Sequence, residues 1–178
     1  LSGYYIRSIY PAAKDEVWVT TYDKGFFLLK GGRLFQMPMD KMQYLATAHC
    51  IVPDDSGYFW ITTNKGLFQV ARKDLLAYAS GESSFVFYLY YGKSRGFYTN
   101  EFNGGCQPCA LKLANGKLSL PSLDGLVVFR PSSIKAEVPD KGLFIDNLQM
   151  DTRRIAGADT IVLPNNYQQL PLEVTTPY

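Results

Sequence analysis

The sequence predicts an all-β fold in which one unit of short strands recurs along the chain. Residues 55–68 have the pattern of a turn, an apolar strand, a second turn and another strand, and residues 16–27 are a diverged copy in the same order. The tryptophans of the two copies, Trp18 and Trp60, lie 42 residues apart. A period of about 40–45 residues with four strands per unit is typical of the blades of a β-propeller.

A third copy of the unit is more diverged. Residues 115–129 follow the same order of turn, strand, turn and strand, but Leu118 replaces the aromatic residue. Pro121 lacks a backbone donor, which favours an edge strand or a strand end at this point. The third copy also lies further along the chain than the period requires, so we expect an insertion at residues 92–105. The sequence therefore predicts a partial β-propeller of about three four-stranded blades.

Turn residues and apolar runs place the individual strands. Every position of residues 58–61 is apolar, which indicates a strand that is buried on both faces. The Gly31-Gly32 pair indicates a hairpin turn. In chain order we expect strands at residues 6–9, 17–21, 26–29, 34–37, 50–52, 58–63, 67–71, 75–78, 85–91, 118–120 and 126–129.

The repeat pattern ends near residue 134, and a second kind of β-structure follows it. Residues 135–141 are polar and contain Pro139-Asp140, which indicates a junction. Three further strands are expected at residues 142–150, 160–163 and 170–174. This tail is too short for a complete immunoglobulin-like sandwich of roughly 100 residues. We therefore predict the last propeller blades at residues 1–135 and the first strands of an immunoglobulin-like β-sandwich at residues 136–178.

The composition excludes several classes of function. The chain has 178 residues, of which 47% are hydrophobic and 19% charged, so it is predicted to fold. Its net charge is only +2 and its basic residues are scattered, so no nucleic-acid partner is expected. It contains no run of about 18 apolar residues, so no membrane contact is expected. We expect no cofactor and no metal.

The three cysteines allow more than one interpretation. Cys106 and Cys109 have the Cys-x-x-Cys spacing, but they lie in an all-β context instead of at the start of a helix in a βαβ unit. Zinc would need two more ligands, which only Cys50 and His49 could supply. Buried structural thiols are the first interpretation. A local disulfide and metal or redox chemistry are the alternatives.

No catalytic constellation stands out in the sequence. His49 is the only histidine, it lies on an expected strand, and no Gly-x-Ser-x-Gly motif is present. Trp18 and Trp60 lie in apolar runs, so they are predicted to fill gaps between blades instead of serving as ligand platforms. We therefore predict that the chain is not an enzyme and has no catalytic residues.

The insertion is the best candidate for a binding site. Residues 91–103 mix aromatic, amide and charged side chains in a loop, and binding residues are often placed on loops that a rigid scaffold holds. The ligand-binding residues predicted from this segment are Arg95, Tyr98, Asn100, Glu101 and Asn103. The alternative is a long connector in which Phe102 fills the core and Asn103 caps a turn.

Three segments resemble a known family, the two-component regulator propeller. Residues 54–67 match its repeat of an Asp/Gly turn, an aromatic strand, threonines and a Gly-aliphatic strand, while residues 100–105 and 115–131 resemble its final blade. The tail, with residues 159–164 and 170–174, resembles the start of the tyrosine-motif sandwich domain that follows this propeller. The first copy departs from the pattern, since it lacks the Asp-x-x-Gly turn.

The resemblance implies a location and a function. Such propellers form the periplasmic sensor region of hybrid two-component histidine kinases of Bacteroidetes. It implies a non-catalytic sensing module that binds a small-molecule or oligosaccharide ligand, such as a glycan fragment, and relays it to a transmembrane histidine kinase. One alternative is a glycan-active propeller enzyme with acids such as Glu82 or Glu101. The other is a protein-interaction scaffold.

The resemblance also implies that three blades are only part of such a propeller. An open set of blades exposes unpaired strand edges and apolar sheet faces. We therefore expect the chain to associate with copies of itself.

Overall fold

A computed structural model of the chain describes residues 3–106, 108–134, 144–150, 153–156 and 172–175. The chain forms two compact units, Leu1–Ile134 and Lys135–Tyr178. The described residues form 14 strands in four antiparallel sheets and a single α-helix. The predicted all-β fold is confirmed. The number of propeller blades stays a prediction.

Sheet A is the first four-stranded sheet of unit 1. Its strands pair in chain order, so each strand is hydrogen-bonded to the next one along the chain. The Gly31-Gly32 turn joins the last two strands. Both glycines have positive φ, as a two-residue type I′ hairpin turn requires. The strands are β1 (Ile6–Ala13), β2 (Glu16–Thr21), β3 (Phe26–Lys30) and β4 (Arg33–Gln36).

Sheet B repeats this arrangement, with a helix before its last strand. Its strands also pair in chain order. They are β5 (Ala48–Pro53), β6 (Tyr58–Thr63), β7 (Leu67–Ala71) and β8 (Leu89–Tyr91), and helix α1 (Arg72–Ser80) lies between β7 and β8.

Of the strands predicted between β7 and β8, the one at residues 75–78 is wrong and the one at residues 85–91 is too long. Residues 75–78 lie in α1 and not in a strand, because helix-forming residues are followed by Gly81 in the left-handed conformation, which ends the helix. The amide of Gly81 donates to the carbonyl of Tyr78 at 3.1 Å. The strand predicted at residues 85–91 is confined to its last three residues, Leu89–Tyr91.

Sheet C has three strands in the order β11, β10, β9. They are β9 (Leu111–Lys112), β10 (Leu118–Ser122) and β11 (Gly125–Phe129). A fourth strand was expected here, and in its place Phe102 forms an isolated antiparallel bridge to Ser122. Pro121 is tolerated because β9 pairs only with Leu118 and Ser119, so no β9 residue faces the proline.

The same kind of hydrogen bond occurs at the equivalent position in sheets A, B and C, which shows that these three sheets are copies of one unit. In each sheet a hydroxyl at the end of one strand donates to the carbonyl of the glycine that precedes or opens the next strand. The pairs are Thr21–Gly25 at 2.9 Å, Thr63–Gly66 at 2.9 Å and Ser122–Gly125 at 3.0 Å. Thr21 and Thr63 therefore close the turns between neighbouring strands of their sheets.

Sheet B is packed on both faces. Trp18 of sheet A meets Phe59 with ring centroids 5.2 Å apart, and Trp60 meets Phe129 of sheet C at 4.9 Å. Successive residues of β6 therefore face opposite neighbours, as the period of a strand requires. Both tryptophans are at most 1% exposed. The predictions that β6 is buried on both faces and that the tryptophans fill gaps between sheets are confirmed.

Unit 2 contains one described sheet in the order β13, β12, β14. Its strands are β12 (Phe144–Met150), β13 (Arg153–Ala156) and β14 (Leu172–Thr175). The strands predicted at 142–150 and 170–174 overlap β12 and β14, β13 was not predicted, and residues 160–163 lie outside the described residues. Across the part of the chain that the structure describes, no helix has the length and apolarity needed to cross a bilayer.

Candidate ligand-binding site

A cavity of about 360 Å³ lies in unit 1 where the insertion meets sheets B and C. Strands β6, β7 and β8 form one wall, strand β11 forms another, and residues 95–99 of the insertion close the side between them. Ile134, the last residue of unit 1, also lines the cavity. The volume is within the range of small-molecule sites, which are about 300–1,000 Å³.

The floor of the cavity is aromatic and rigidly held. The Trp60 ring lies 5.5 Å from that of Tyr91 and 4.9 Å from that of Phe129. The hydroxyl of Tyr91 is hydrogen-bonded to Oε1 of Gln69 at 2.7 Å, which fixes the orientation of the tyrosine ring. The Trp60 ring is inclined by 35° to that of Tyr91 and by 65° to that of Phe129, so the floor is apolar and aromatic but not flat.

The rim of the cavity carries polar groups of both charges. Arg95, Tyr98 and Thr99 come from the insertion, while Asp124 lies in the turn between β10 and β11. The Tyr98 side chain is 90% exposed, so its ring is available to a ligand from solvent. An apolar floor with a few polar groups at the rim is the usual composition of a binding site for a small organic molecule.

The insertion is anchored at both ends. At its start, Gly92 lies against Tyr90, and a Cβ at this glycine would come within 2.5 Å of the tyrosine hydroxyl. At its end, the amide of Phe102 donates to the carbonyl of Thr63 at 3.1 Å, and the Phe102 ring packs edge-on against Phe97 at 5.7 Å. These contacts hold residues 95–99 against the cavity.

The structure brings only two of the five predicted binding residues to the cavity, Arg95 and Tyr98. The side-chain Nδ2 of Asn103 donates to the carbonyl of Ser122 at 3.2 Å, and Phe102 is buried, as the alternative of a connector expects. Glu101 is exposed. Ligand binding by these residues stays a prediction.

Asn100, a predicted binding residue, lies outside the cavity, whereas Asp124, which was not predicted, lines it. The Asn100 side-chain oxygen is buried without a hydrogen-bond partner among the described residues, and Asn100 does not line the cavity. Sequence reasoning missed Asp124, which was assigned only to a repeat turn. The feature of the sequence that could have indicated Asp124 is its position in the second turn of the third copy, which follows the insertion.

A second surface hollow of unit 1 lies at the start of sheet A, beside Gly105. Its volume is about 810 Å³, and it is more open than the cavity. It is lined by Tyr4, Tyr5, Arg7 and Tyr22, and the Arg7 guanidinium lies 4.6 Å from the centre of the Tyr22 ring. Its openness makes it the weaker candidate for a small ligand.

His49 is a buried structural residue on β5. Its Nε2 is 2.7 Å from Oδ1 of Asn64, which is an acceptor, so Nε2 carries the proton. Its Nδ1 is buried without a partner in the described part of the chain, and Gly104 packs against it so closely that a Cβ there would lie 2.3 Å away. Burial, reinforced by the nearby charge of Arg7 and opposed by the Asn64 hydrogen bond, lowers the pKa of His49.

The lowered pKa of His49 predicts a loss of stability in mild acid. The unfolded chain takes up a proton on this histidine near pH 6.5, while the folded chain resists it until a lower pH. The stabilisation is complete above about pH 6.5 and is lost as the pH falls toward the folded pKa. We expect the melting temperature to fall between pH 7.5 and pH 5.5, by differential scanning calorimetry, and to fall less in His49→Gln. Equal falls in both proteins would contradict this.

The described residues contain no group of three or more His, Cys, Asp or Glu side chains that could hold a metal ion. Glu82 and Glu101, the acids considered for an enzyme, are both exposed.

The chain is similar in structure to a solved extracellular domain from B. thetaiotaomicron. The extracellular domain of the hybrid two-component system BT3049 matches 92% of this chain with a TM-score of 0.53 and 20% identity, over 20% of its own length. Two structures of the extracellular domain of BT4673, described in one case as a one-component system and in the other as a hybrid two-component system, match 93% of this chain. Their TM-scores are 0.43 and 0.45, with 15% and 16% identity over 25% and 26% of their lengths.

No protein-family model matches the sequence, and no curated protein matches it. The similarity to the BT3049 domain establishes a shared fold, and the resemblance inferred from the sequence is confirmed at that level. The chain spans about a fifth of the length of that domain.

Proposed function

We propose that the chain is a non-catalytic, ligand-binding part of an extracellular sensor that lies in the periplasm and belongs to a two-component system. The cavity between sheets B and C is the observation that carries the proposal, because it combines a fixed aromatic floor with polar groups at its rim. The shared fold with the extracellular domain of BT3049 supports the sensory role and the location.

A glycan fragment suits the chemistry of this cavity. Sugars present an apolar face that stacks on aromatic rings, and hydroxyl groups that need hydrogen-bond partners around their edge. The floor around Phe129 meets the first requirement. Arg95 and Asp124 at the rim meet the second, since one donates and the other accepts hydrogen bonds.

The position of the cavity suits a relay toward a transmembrane histidine kinase. A ligand can shift a protein between two arrangements only if it binds one of them more tightly. Ile134 lines the cavity and is the last residue of unit 1, so a ligand that contacts it acts where the chain leaves this unit. We expect the movement near residues 130–141, of which residues 135–141 lie outside the described residues.

The proposal predicts saturable binding that depends on the rim. In a thermal-shift screen of an oligosaccharide panel, at least one member should raise the melting temperature of the chain. By calorimetry, Arg95→Ala and Asp124→Asn should each weaken binding of that oligosaccharide about 10-fold, which corresponds to about 1.4 kcal/mol and to one lost hydrogen bond to a charged group. Lys93→Ala is the matched control, because Lys93 is exposed on the same loop but does not line the cavity.

The same experiment separates the alternatives. Shortening of the oligosaccharide during incubation would support a glycan-active enzyme. Unchanged affinity in both rim variants would contradict the cavity as the site. If no member of the panel binds while a protein partner does, the chain is an interaction scaffold.

We also propose that the chain associates with itself through the outer faces of sheets A and C. These two faces lie away from sheet B, and each carries three exposed apolar side chains. They are Ile9, Leu29 and Leu34 on sheet A, and Leu111, Leu126 and Val128 on sheet C. A contact between unlike faces is heterologous, so it builds a ring where the rotation between neighbours closes and an open chain of molecules where it does not.

Light scattering coupled to size exclusion tests this association. The mass of the wild-type chain should rise with concentration, whereas Ile9→Lys or Leu111→Lys should reduce that rise, because each places a charge in one of the contacting faces. Phe85→Lys is the control, since Phe85 is an exposed apolar residue outside both faces. A wild-type chain that stays monomeric at all concentrations would contradict the proposal.

A further inference from the structure

Two cysteines that are far apart in sequence meet between sheets B and C. Cys50 of β5 and Cys109, which precedes β9, are 59 residues apart and both are buried free thiols. Cys50 Sγ lies 3.7 Å from the carbonyl oxygen of Cys109, and Cys109 Sγ lies 3.9 Å from that of His49, the neighbour of Cys50. Each thiol therefore reaches the backbone of the other's segment.

The close approach of the two segments makes the thiols chemically unlike. The influence of each thiol on the other holds the pKa of Cys109 below its ordinary value and, together with burial, raises the pKa of Cys50. Cys109 is thus the member of the pair that ionises more readily, and thiolates are the nucleophiles of disulfide exchange.

The third thiol provides the access that the buried pair lacks. Cys106 is exposed and precedes Cys109 by three residues in the sequence. The first interpretation of the cysteines, buried structural thiols, fits Cys50 and Cys109 but not Cys106.

We propose that Cys50 and Cys109 are a disulfide site that clamps sheet B to sheet C, and that Cys106 is the exposed thiol through which an external disulfide oxidises them. The proposal uses the periplasmic location of the proposed function only for the source of the oxidant, since disulfides form in that compartment. The oxidant is a small-molecule or protein disulfide.

The exchange balances in three steps. The Cys106 thiolate attacks the oxidant, forms a mixed disulfide and releases one oxidant thiolate, which takes up the Cys106 proton. The Cys109 thiolate attacks Cys106 Sγ and expels the second oxidant thiolate, which takes up the Cys109 proton. Cys50 then attacks Cys109 Sγ, and the expelled Cys106 thiolate takes up the Cys50 proton. The pair loses two electrons and two protons, and the oxidant leaves as two thiols.

The clamp would lie beside the proposed ligand cavity. Cys50 and Cys109 belong to the same apolar cluster as Trp60 and Leu67, and these two residues line the cavity. The bond would close a chain segment that contains β6, β7, β8 and the insertion. Closing so long a segment restricts the unfolded chain and stabilises the folded one.

Oxidation of the purified chain with glutathione disulfide tests the site without any ligand. After alkylation and tryptic digestion without reductant, the peptides of residues 42–65 and 96–112 should be joined, with Cys106 as the only alkylated cysteine. Cys106→Ser should form the same link at least about 10-fold more slowly, because a buried thiol reacts poorly with an external disulfide. Reduction of the oxidised Cys106→Ser protein should lower its melting temperature by roughly 10 °C.

Three results would overturn the proposal. The first is a wild-type chain in which all three cysteines are still alkylated after oxidation. The second is a wild-type chain with a Cys106–Cys109 bridge and an alkylated Cys50. An equal rate of linking in Cys106→Ser would remove Cys106 from the relay. Because no ligand is used, failure here leaves the proposed binding function unaffected, and failure to bind oligosaccharides leaves this test unaffected.

Discussion

Replacement of Trp60 by alanine is expected to lower the free energy of unfolding of unit 1 by about 3–5 kcal/mol. The Trp60 ring is 1% exposed and packs against Tyr91 of its own sheet and Phe129 of sheet C. Its Nε1 also donates to Oδ2 of Asp54 at 2.9 Å. Alanine would leave a cavity between two sheets and an unpaired carboxylate oxygen.

Trp18→Ala should have an effect of the same size, because Trp18 has the equivalent role between sheets A and B. It packs against Phe59 and Phe26, and its Nε1 donates to Oε1 of Glu16 at 2.7 Å. The effects are measured by urea unfolding followed by far-UV circular dichroism, which does not depend on tryptophan emission. Tyr98→Ala is the control and should change the free energy by less than about 0.5 kcal/mol.

Loss of less than about 1 kcal/mol in either tryptophan variant would contradict the stacked-sheet account. A large loss in only one of them would contradict their equivalence.

Arg72→Ala is expected to cost about 2–4 kcal/mol, although Arg72 is itself partly exposed. Glu16 on β2 is 3% exposed, and its carboxylate accepts hydrogen bonds from Arg72 Nε at 2.7 Å, from Arg72 Nη2 and from Trp18 Nε1. Arg72 follows β7, so this ion pair joins sheet A to sheet B. Without the guanidinium, the buried carboxylate loses its counter-charge.

The pH dependence of stability identifies this mechanism. Burial alone would raise the pKa of Glu16, but the hydrogen bonds from Arg72 and Trp18 outweigh it and leave the pKa below its ordinary value of 4.5. The stabilisation is therefore complete above pH 4.5 and is lost as the pH falls from there toward the folded pKa. Arg72→Ala should lose less stability over that range than the wild-type chain does.

Lys112→Ala is the matched control for the ion pair. Lys112 of sheet C pairs with Asp55 of sheet B, but the Asp55 side chain is 77% exposed, so solvent screens the interaction. We expect a loss of less than about 1 kcal/mol. Equal losses in Arg72→Ala and Lys112→Ala would show that burial of Glu16 does not decide the cost.

The repeat in the sequence was sufficient to predict the stacked sheets. The spacing of Trp18 and Trp60 placed both residues on the second strand of their sheets, and the apolar run at residues 58–61 predicted the double burial of β6. These predictions succeeded because strand period and burial act locally, and a repeated unit must bury the same positions each time.

The features that depend on competing local preferences were harder to predict. Residues 72–80 contain both strand-like and helix-forming side chains, and the left-handed cap at Gly81 decides for the helix. The insertion could be located, but which of its side chains reach the cavity depends on how Phe102 pairs with Ser122. The contribution of Asp124 depends on the packing of sheet C against sheet B, which no single segment encodes.

Hydrogen–deuterium exchange with and without the best-binding oligosaccharide of the panel tests the central claim, that the cavity between sheets B and C is the binding site. The account predicts slower exchange in residues 92–105 and 123–130 and an oligosaccharide that is recovered intact. Protection confined to residues 3–10, beside the hollow of Tyr4 and Arg7, would contradict it, and so would recovery of a cleaved oligosaccharide.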